Sequence, residues 1–365
     1  MSDKTDHPKR KSSLDLLRPA VRDMPGYQPG EQIGDLVKLN TNEGAFGPSP
    51  QVMAILAAIG DESLRLYPDP TSAKLRAAAA ARFGVAPEQV LAGNGSDDCL
   101  TILYRAFLDK GQRVACPWPT YGLYDTLAAL QGAELVRLPF HQIGRRFELP
   151  RDLTKKRAKM IILANPNNPS STLVPVEEVR KLCDEATHAI VVVDEAYVDF
   201  ALGAGIDASL LPYLDQHPNL VVLRTFSKSY SLAGARLGLL FAAAPIVEAL
   251  MKVKDSYNVN AISQALGVAA LEDRAYHEDC VRRTLDQRAH LEGALGALGL
   301  SWPEAAANFL LVEIGERAEE VYRTLKQEGL LVRWWSAPEL RTKIRISVGK
   351  PGDNDRVIAA LKKSF

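Results

Sequence analysis

Short β-branched or apolar runs alternate with longer stretches of helical periodicity through the middle of the chain. The runs Gln89 to Ala92, Arg113 to Cys116, Ala133 to Leu138, Met160 to Ala164, Ala189 to Val193, Leu220 to Arg224 and Leu237 to Ala242 read as strands. The amphipathic stretches between them read as helices. Strands alternating with helices predict an α/β fold built on a mostly parallel, seven-stranded sheet flanked by helices. A helix is expected around the alanine run Ala77 to Ala81, opened by Ser72 and stopped by Gly84. Two long helical patterns follow, over Ala244 to Ser256 and Ala261 to Leu298. Then the texture changes: Asn308 to Val312 and Lys343 to Val348 alternate like strands around a helix over Glu316 to Glu328, the pattern of a smaller α+β unit. The expected organisation is an amino-terminal segment over 1–44 that packs across one of the units, a large domain over 45–270 and a small domain over 271–365.

Composition narrows the function without naming it. Among 365 residues, 44 Lys and Arg balance 44 Asp and Glu, and no long block of one sign occurs, which argues against a nucleic-acid or anionic-membrane surface. With 47% hydrophobic residues the chain can bury sizeable cores. The most apolar stretch, Leu237 to Met251, is broken by Pro245 and Glu248 and is too short for a membrane span. Met1 to Ser13 lacks the apolar run of a signal peptide. Cys99, Cys116, Cys183 and Cys280 show no short pair spacing, which suits a reducing compartment and a cytoplasmic protein. No metal is expected: the six histidines are scattered, and only His277 and Cys280 share helical spacing.

In open α/β sheets ligands collect at the carboxyl ends of the strands, so the polar residues directly after each strand carry the information. After the first strand comes Gly93-Asn94-Gly95-Ser96-Asp97 at a helix start, a phosphate cradle or a glycine turn capped by Ser96. Asp98 stands where a dinucleotide fingerprint needs its third glycine, which argues against a nicotinamide dehydrogenase. The run Asn165-Pro166-Asn167-Asn168-Pro169 offers amide donors, and Asp194-Glu195-Ala196-Tyr197 puts a carboxylate at the end of a buried strand, costly unless a cation or donor meets it. Lys228, flanked by Thr225, Ser227 and Ser229, has the desolvated setting that frees an amine to bond a carbonyl carbon, and Arg236 follows as an anion anchor. Each has a structural explanation when taken singly. In this order along one α/β unit, they are the parts that hold pyridoxal phosphate.

On these motifs the chain, from about Leu17 to Val348, resembles the fold-type I pyridoxal-phosphate aminotransferases. The resemblance implies that Lys228 bonds the cofactor and moves the substrate proton, that Asp194 pairs with the ring nitrogen, and that Asn168 and Tyr197 hydrogen-bond the phenolic oxygen. It implies that Tyr121 stacks on the ring, that Ser96, Asp97, Thr225, Ser227 and Arg236 form the phosphate shell, and that Tyr67 reaches the neighbouring site of a homodimer. Tyr27, with Lys38 to Glu43, resembles the branch that acts on histidinol phosphate with glutamate and 2-oxoglutarate. In that branch Arg333, Arg345 and Asn168 would face the substrate, and two guanidinium forks suit a dianionic group. Asn258 and Asn260 fit the same pattern or serve as helix-breaking polar residues. Two departures stand out. Ser170-Ser171 replaces the usual Thr-Gly, a change of loop, and Trp334-Trp335 with Ser336 to Glu339 replaces a smaller glycine-bearing loop. Two indoles beside a substrate arginine leave aromatic amino acids as an alternative substrate class. Phosphothreonine decarboxylation and a non-catalytic regulator on the same scaffold are more distant readings.

Overall fold

The computed structural model describes residues 12–24, 26 and 29–365. Seven strands form the large sheet: β1 (Val90–Gly93), β2 (Arg113–Trp118), β3 (Glu134–Pro139), β4 (Met160–Ala164), β5 (Ile190–Asp194), β6 (Leu220–Thr225) and β7 (Gly238–Ala242). Their order is β1-β7-β6-β5-β4-β2-β3, and only β7 runs antiparallel to its neighbours. The α/β fold class and the seven-stranded sheet thus agree with the sequence pattern. Strands β4 to β7 are buried at every position because helices cover both faces. Alternate residues feed two cores: Ile161, Leu163, Val191 and Val193 point into one, Met160, Ile162, Ile190 and Val192 into the other. From β2 the chain passes outward to β3 and then returns to β4 on the other side, so a crevice opens over the carboxyl ends of β2 and β4.

A second sheet, β8 (Phe309–Glu313), β9 (Arg333–Trp334) and β10 (Lys343–Ser347), has order β8-β10-β9 and is antiparallel. Leu310, Val312, Ile344 and Ile346 from one of its faces pack with Leu291, Leu295, Val357 and Leu361 of the covering helices. The amino-terminal segment joins this unit: Val37–Lys38 pairs in parallel with Leu330–Leu331, and Leu39 enters the same core.

Two local expectations are corrected. Ser72 does not cap the helix Ala73–Phe83; it takes a left-handed φ of 51° and makes no capping bond. Asp69 does that work, its carboxylate accepting from the Thr71 and Ala73 amides at 2.8 and 2.7 Å. The single helix expected over 261–298 is two, Ala261–Glu272 and Arg274–Ala297. Asp273 leaves the helical region at ψ 63° and its side chain caps the second helix by accepting from the Tyr276 amide at 3.4 Å. Among the described residues no helix is long and apolar enough to cross a membrane.

Candidate active site

The strand ends and the small sheet enclose one cavity of about 640 Å³. At the end of β1, Gly95 turns the chain at φ 89° into the helix Ser96–Phe107, whose first amides lack partners within the helix. Two glycines make the corner possible. A Cβ on Gly95 would lie 2.7 Å from Arg236 Nη2, and one on Gly238 would lie 2.4 Å from the Ser96 amide nitrogen. Arg236 itself is held at a left-handed φ of 50°, a strained conformation that brings its guanidinium to Asp97 Oδ2 at 3.1 Å. Tyr121, after β2, donates its hydroxyl to the other Asp97 oxygen at 3.3 Å. Ser96, Asp97, Tyr121, Thr225, Ser227 and Arg236 all line the cavity.

Strand β5 ends on Asp194, and Lys228 lies three residues beyond the end of the adjacent β6. Asp194 is 5% exposed and accepts from the Tyr124 hydroxyl at 3.1 Å and the Ala196 amide at 3.2 Å. Burial nevertheless pushes its carboxyl up to about 6. Lys228 Nζ donates to the Thr41 carbonyl at 2.8 Å, and burial brings its amine down to about 8 against the opposing pull of Glu43. The Tyr197 ring centroid lies 5.7 Å from Lys228 Nζ, and its hydroxyl accepts from Asn42 Nδ2 at 3.1 Å.

The small unit closes the opposite wall. Arg345, 6% exposed, donates through Nη1 to Asn168 Oδ1 at 2.5 Å and through Nη2 to the Asn40 carbonyl at 2.6 Å. An accepting Oδ1 makes Nδ2 of Asn168 the donor for a ligand oxygen. Arg333 lines the same cavity and donates to the Pro29 carbonyl at 3.3 Å. Tyr27 lies outside the described residues. Tyr67 is not brought into this cavity: it is 81% exposed and stacks on Tyr257 at 4.5 Å.

The remaining motifs sort themselves by contact. Asn258 donates to the Ala92 carbonyl and to Asp98, and Asn260 caps the helix Ala261–Glu272, so both act structurally here. Ser171 takes the φ of 66° that glycine prefers, and its hydroxyl accepts from the Ala307 amide at 2.9 Å, tying the loop after β4 to the start of β8. Only one of the two adjacent indoles lines the cavity: Trp335 does, while Trp334 turns away and packs on Tyr322 at 6.1 Å. Sequence reasoning missed Tyr124 and, within the singled-out run Lys38 to Glu43, the contact that Thr41 makes to Lys228. Tyr124 has the helical spacing of a core aromatic, and Thr41 acts through its backbone, which no side-chain pattern encodes.

A family model for class I and II aminotransferases matches residues 34–361, and the chain belongs to that family. Within it, the relatives are named more narrowly. Histidinol-phosphate aminotransferase of Microcystis aeruginosa is 39% identical over 95% of this chain and 97% of its own length, and that of Synechocystis sp. is 40% identical over 94% and 97%. The crystal structure of histidinol-phosphate aminotransferase from Sinorhizobium meliloti in complex with pyridoxal-5'-phosphate is similar at a TM-score of 0.87, with 26% identity over 96% of this chain and 98% of that one. The protein is an aminotransferase whose cofactor is pyridoxal phosphate. Its own residues fit that group: a glycine cradle at a helix start for the phosphate, a buried carboxyl with raised pKa for a cationic ring nitrogen, and a buried amine with lowered pKa for the carbonyl carbon.

Proposed function

We propose that the protein transfers the amino group of histidinol phosphate to 2-oxoglutarate in two half-reactions, giving imidazole-acetol phosphate and glutamate, a step of histidine biosynthesis. The observation that carries this reading is the pair Arg333 and Arg345 on the cavity wall contributed by the small unit, in the cavity that also holds Asp194 and Lys228. Two guanidinium groups suit a phosphate on the donor and the distal carboxylate of glutamate alike. Bound pyridoxal phosphate supplies the electron sink. Lys228 Nζ would carry the substrate proton, Asp194 would keep the ring nitrogen charged, and Tyr121 would lie against the ring. Asn168 and Tyr197 would donate to its phenolic oxygen. Ser96, Asp97, Thr225, Ser227 and Arg236, all on the cavity wall, would hold the phosphate. In this reading the large unit over 45–270 holds the cofactor, and the small unit over 271–365, with the segment 1–44, closes on the substrate. The four cysteines are buried thiols, consistent with the cytoplasm.

The visible band of the holoenzyme tests the substrate. Added without 2-oxoglutarate, histidinol phosphate is expected to discharge the band at concentrations where phenylalanine does not. The reverse preference would favour the aromatic amino acid reading, for which Trp335 on the cavity wall is the supporting observation.

We also infer a homodimer. Met53, Leu56, Leu64, Leu66 and Tyr67 are all exposed along residues 53–67, apolar surface that a second copy would cover, bringing Tyr67 to the neighbouring cofactor phosphate. Mixing an inactive Tyr67→Ala protein with an inactive Lys228→Ala protein is expected to restore activity through hybrid dimers carrying one intact site. Absence of complementation in mixtures shown to exchange subunits would refute the cross-subunit role.

A further inference from the structure

Arg333 and Arg345 stand directly opposite each other in the antiparallel pairing of β9 with β10. Like charges placed this way destabilise a sheet unless something offsets them. Side chains alternate along the strand, so Trp334 falls on the other face, where its Nε1 donates to the Arg341 carbonyl at 2.9 Å. Trp335 returns to the arginine face. Its ring lies 5.4 Å from the Arg333 guanidinium carbon and 5.3 Å from that of Arg345. A π face within about 6 Å of a cation attracts it, so one indole acts on both arginines, while the Phe309 ring, 5.2 Å from the Arg345 guanidinium carbon, adds a second π face to one of them. The loop that carries this indole is itself anchored: Trp118 Nε1, at the end of β2, donates to Glu339 at 3.3 Å, and Leu340 is buried on the cavity wall.

We infer that Trp335 is a specificity-determining residue, a flat wall that selects amino donors carrying a planar ring together with an anionic group. The inference deepens the substrate reading above and rests on it. The arginines meet the anion by charge-assisted hydrogen bonds, and the donor's ring lies against the indole, where stacking adds to burial of apolar area. Histidinol phosphate offers both features. Glutamate offers the anion without the ring and gains nothing from the wall, so the indole separates two substrates that the arginines alone would treat alike.

The test compares the two donors on holoenzyme in single turnovers, followed by loss of the visible band. Trp335→Leu is expected to lower the ratio of the specificity constants, histidinol phosphate over glutamate, by about tenfold, and Trp335→Phe by less than about threefold. Tryptophan fluorescence gives a second readout: histidinol phosphate should quench it in the wild type and quench it less in Trp335→Phe. A ratio that stays within about twofold in Trp335→Leu overturns the inference, because the ring contact would then contribute nothing selective. So does an equal quench in wild type and Trp335→Phe. A wild type that does not react with histidinol phosphate refutes the substrate reading instead, and the phenylalanine-to-glutamate ratio then judges Trp335 by the same criterion.

Discussion

Replacing Lys228 with alanine is expected to lower the transamination rate by roughly 10⁴-fold or more while leaving a folded protein, since in the proposed reaction one side chain supplies both the attacking amine and the proton carrier. The structure explains why this lysine suits both tasks. At the end of a buried strand the charged ammonium loses its water, and the amine is brought down to about 8, so an appreciable unprotonated fraction exists near neutrality. The Thr41 carbonyl, 2.8 Å away, holds Nζ in place. The sign of the pH dependence follows. Cofactor-stripped wild type should recapture pyridoxal phosphate faster as pH rises toward about 8 and level off above it, because only the unprotonated amine attacks. Turnover retained by Lys228→Ala in steady-state assays, with circular dichroism unchanged, would remove this residue from the chemistry.

The large sheet was legible because its inner strands β4 to β7 are buried on both faces and therefore read as unbroken apolar runs between polar strand ends. Met160 to Ala164 agrees to the residue with the apolar run, and most other strand bounds differ by one or two. The strand-end motifs were legible for a related reason: a carboxylate, a lysine and a glycine turn at the ends of such runs cost stability unless a ligand or partner meets them. Backbone events were not legible. The break at Asp273, the capping role of Asp69 in place of Ser72, and the Thr41 carbonyl beside Lys228 depend on torsions and tertiary contacts that leave no periodicity. The two adjacent tryptophans show the limit most clearly. They read as one aromatic patch until the register of β9 with β10 sends Trp335 to the cavity and Trp334 to Tyr322. Tyr67 shows a different limit, since a single chain leaves it in solvent and its proposed site belongs to a second copy.

Asp194→Asn is expected to cut the rate by about 10²- to 10³-fold without costing the cofactor-free protein stability at pH 7, a pair of effects that a structural aspartate would not produce. Burial raises the Asp194 carboxyl from 3.8 to about 6, which means that the folded state binds this proton more tightly than the unfolded chain does. Stability of the cofactor-free protein therefore falls as pH rises between those values, and the ionised carboxylate costs about 3 kcal/mol at pH 7. Asparagine removes that charge, while leaving one of the Tyr124 and Ala196 donors mismatched at a cost of about 1–3 kcal/mol. The two terms offset, so the melting temperature of the stripped variant should equal or exceed that of the wild type. In the proposed reaction the benefit of the charge comes only with the cofactor, whose protonated ring nitrogen would supply the missing cation; a neutral amide would not hold that proton, and removal of the substrate proton would slow. A deuterium at the donor carbon should accordingly produce a larger isotope effect in the variant than in the wild type. An unchanged rate and isotope effect would exclude Asp194 from the reaction, whereas a large loss of stability without cofactor would make its role structural.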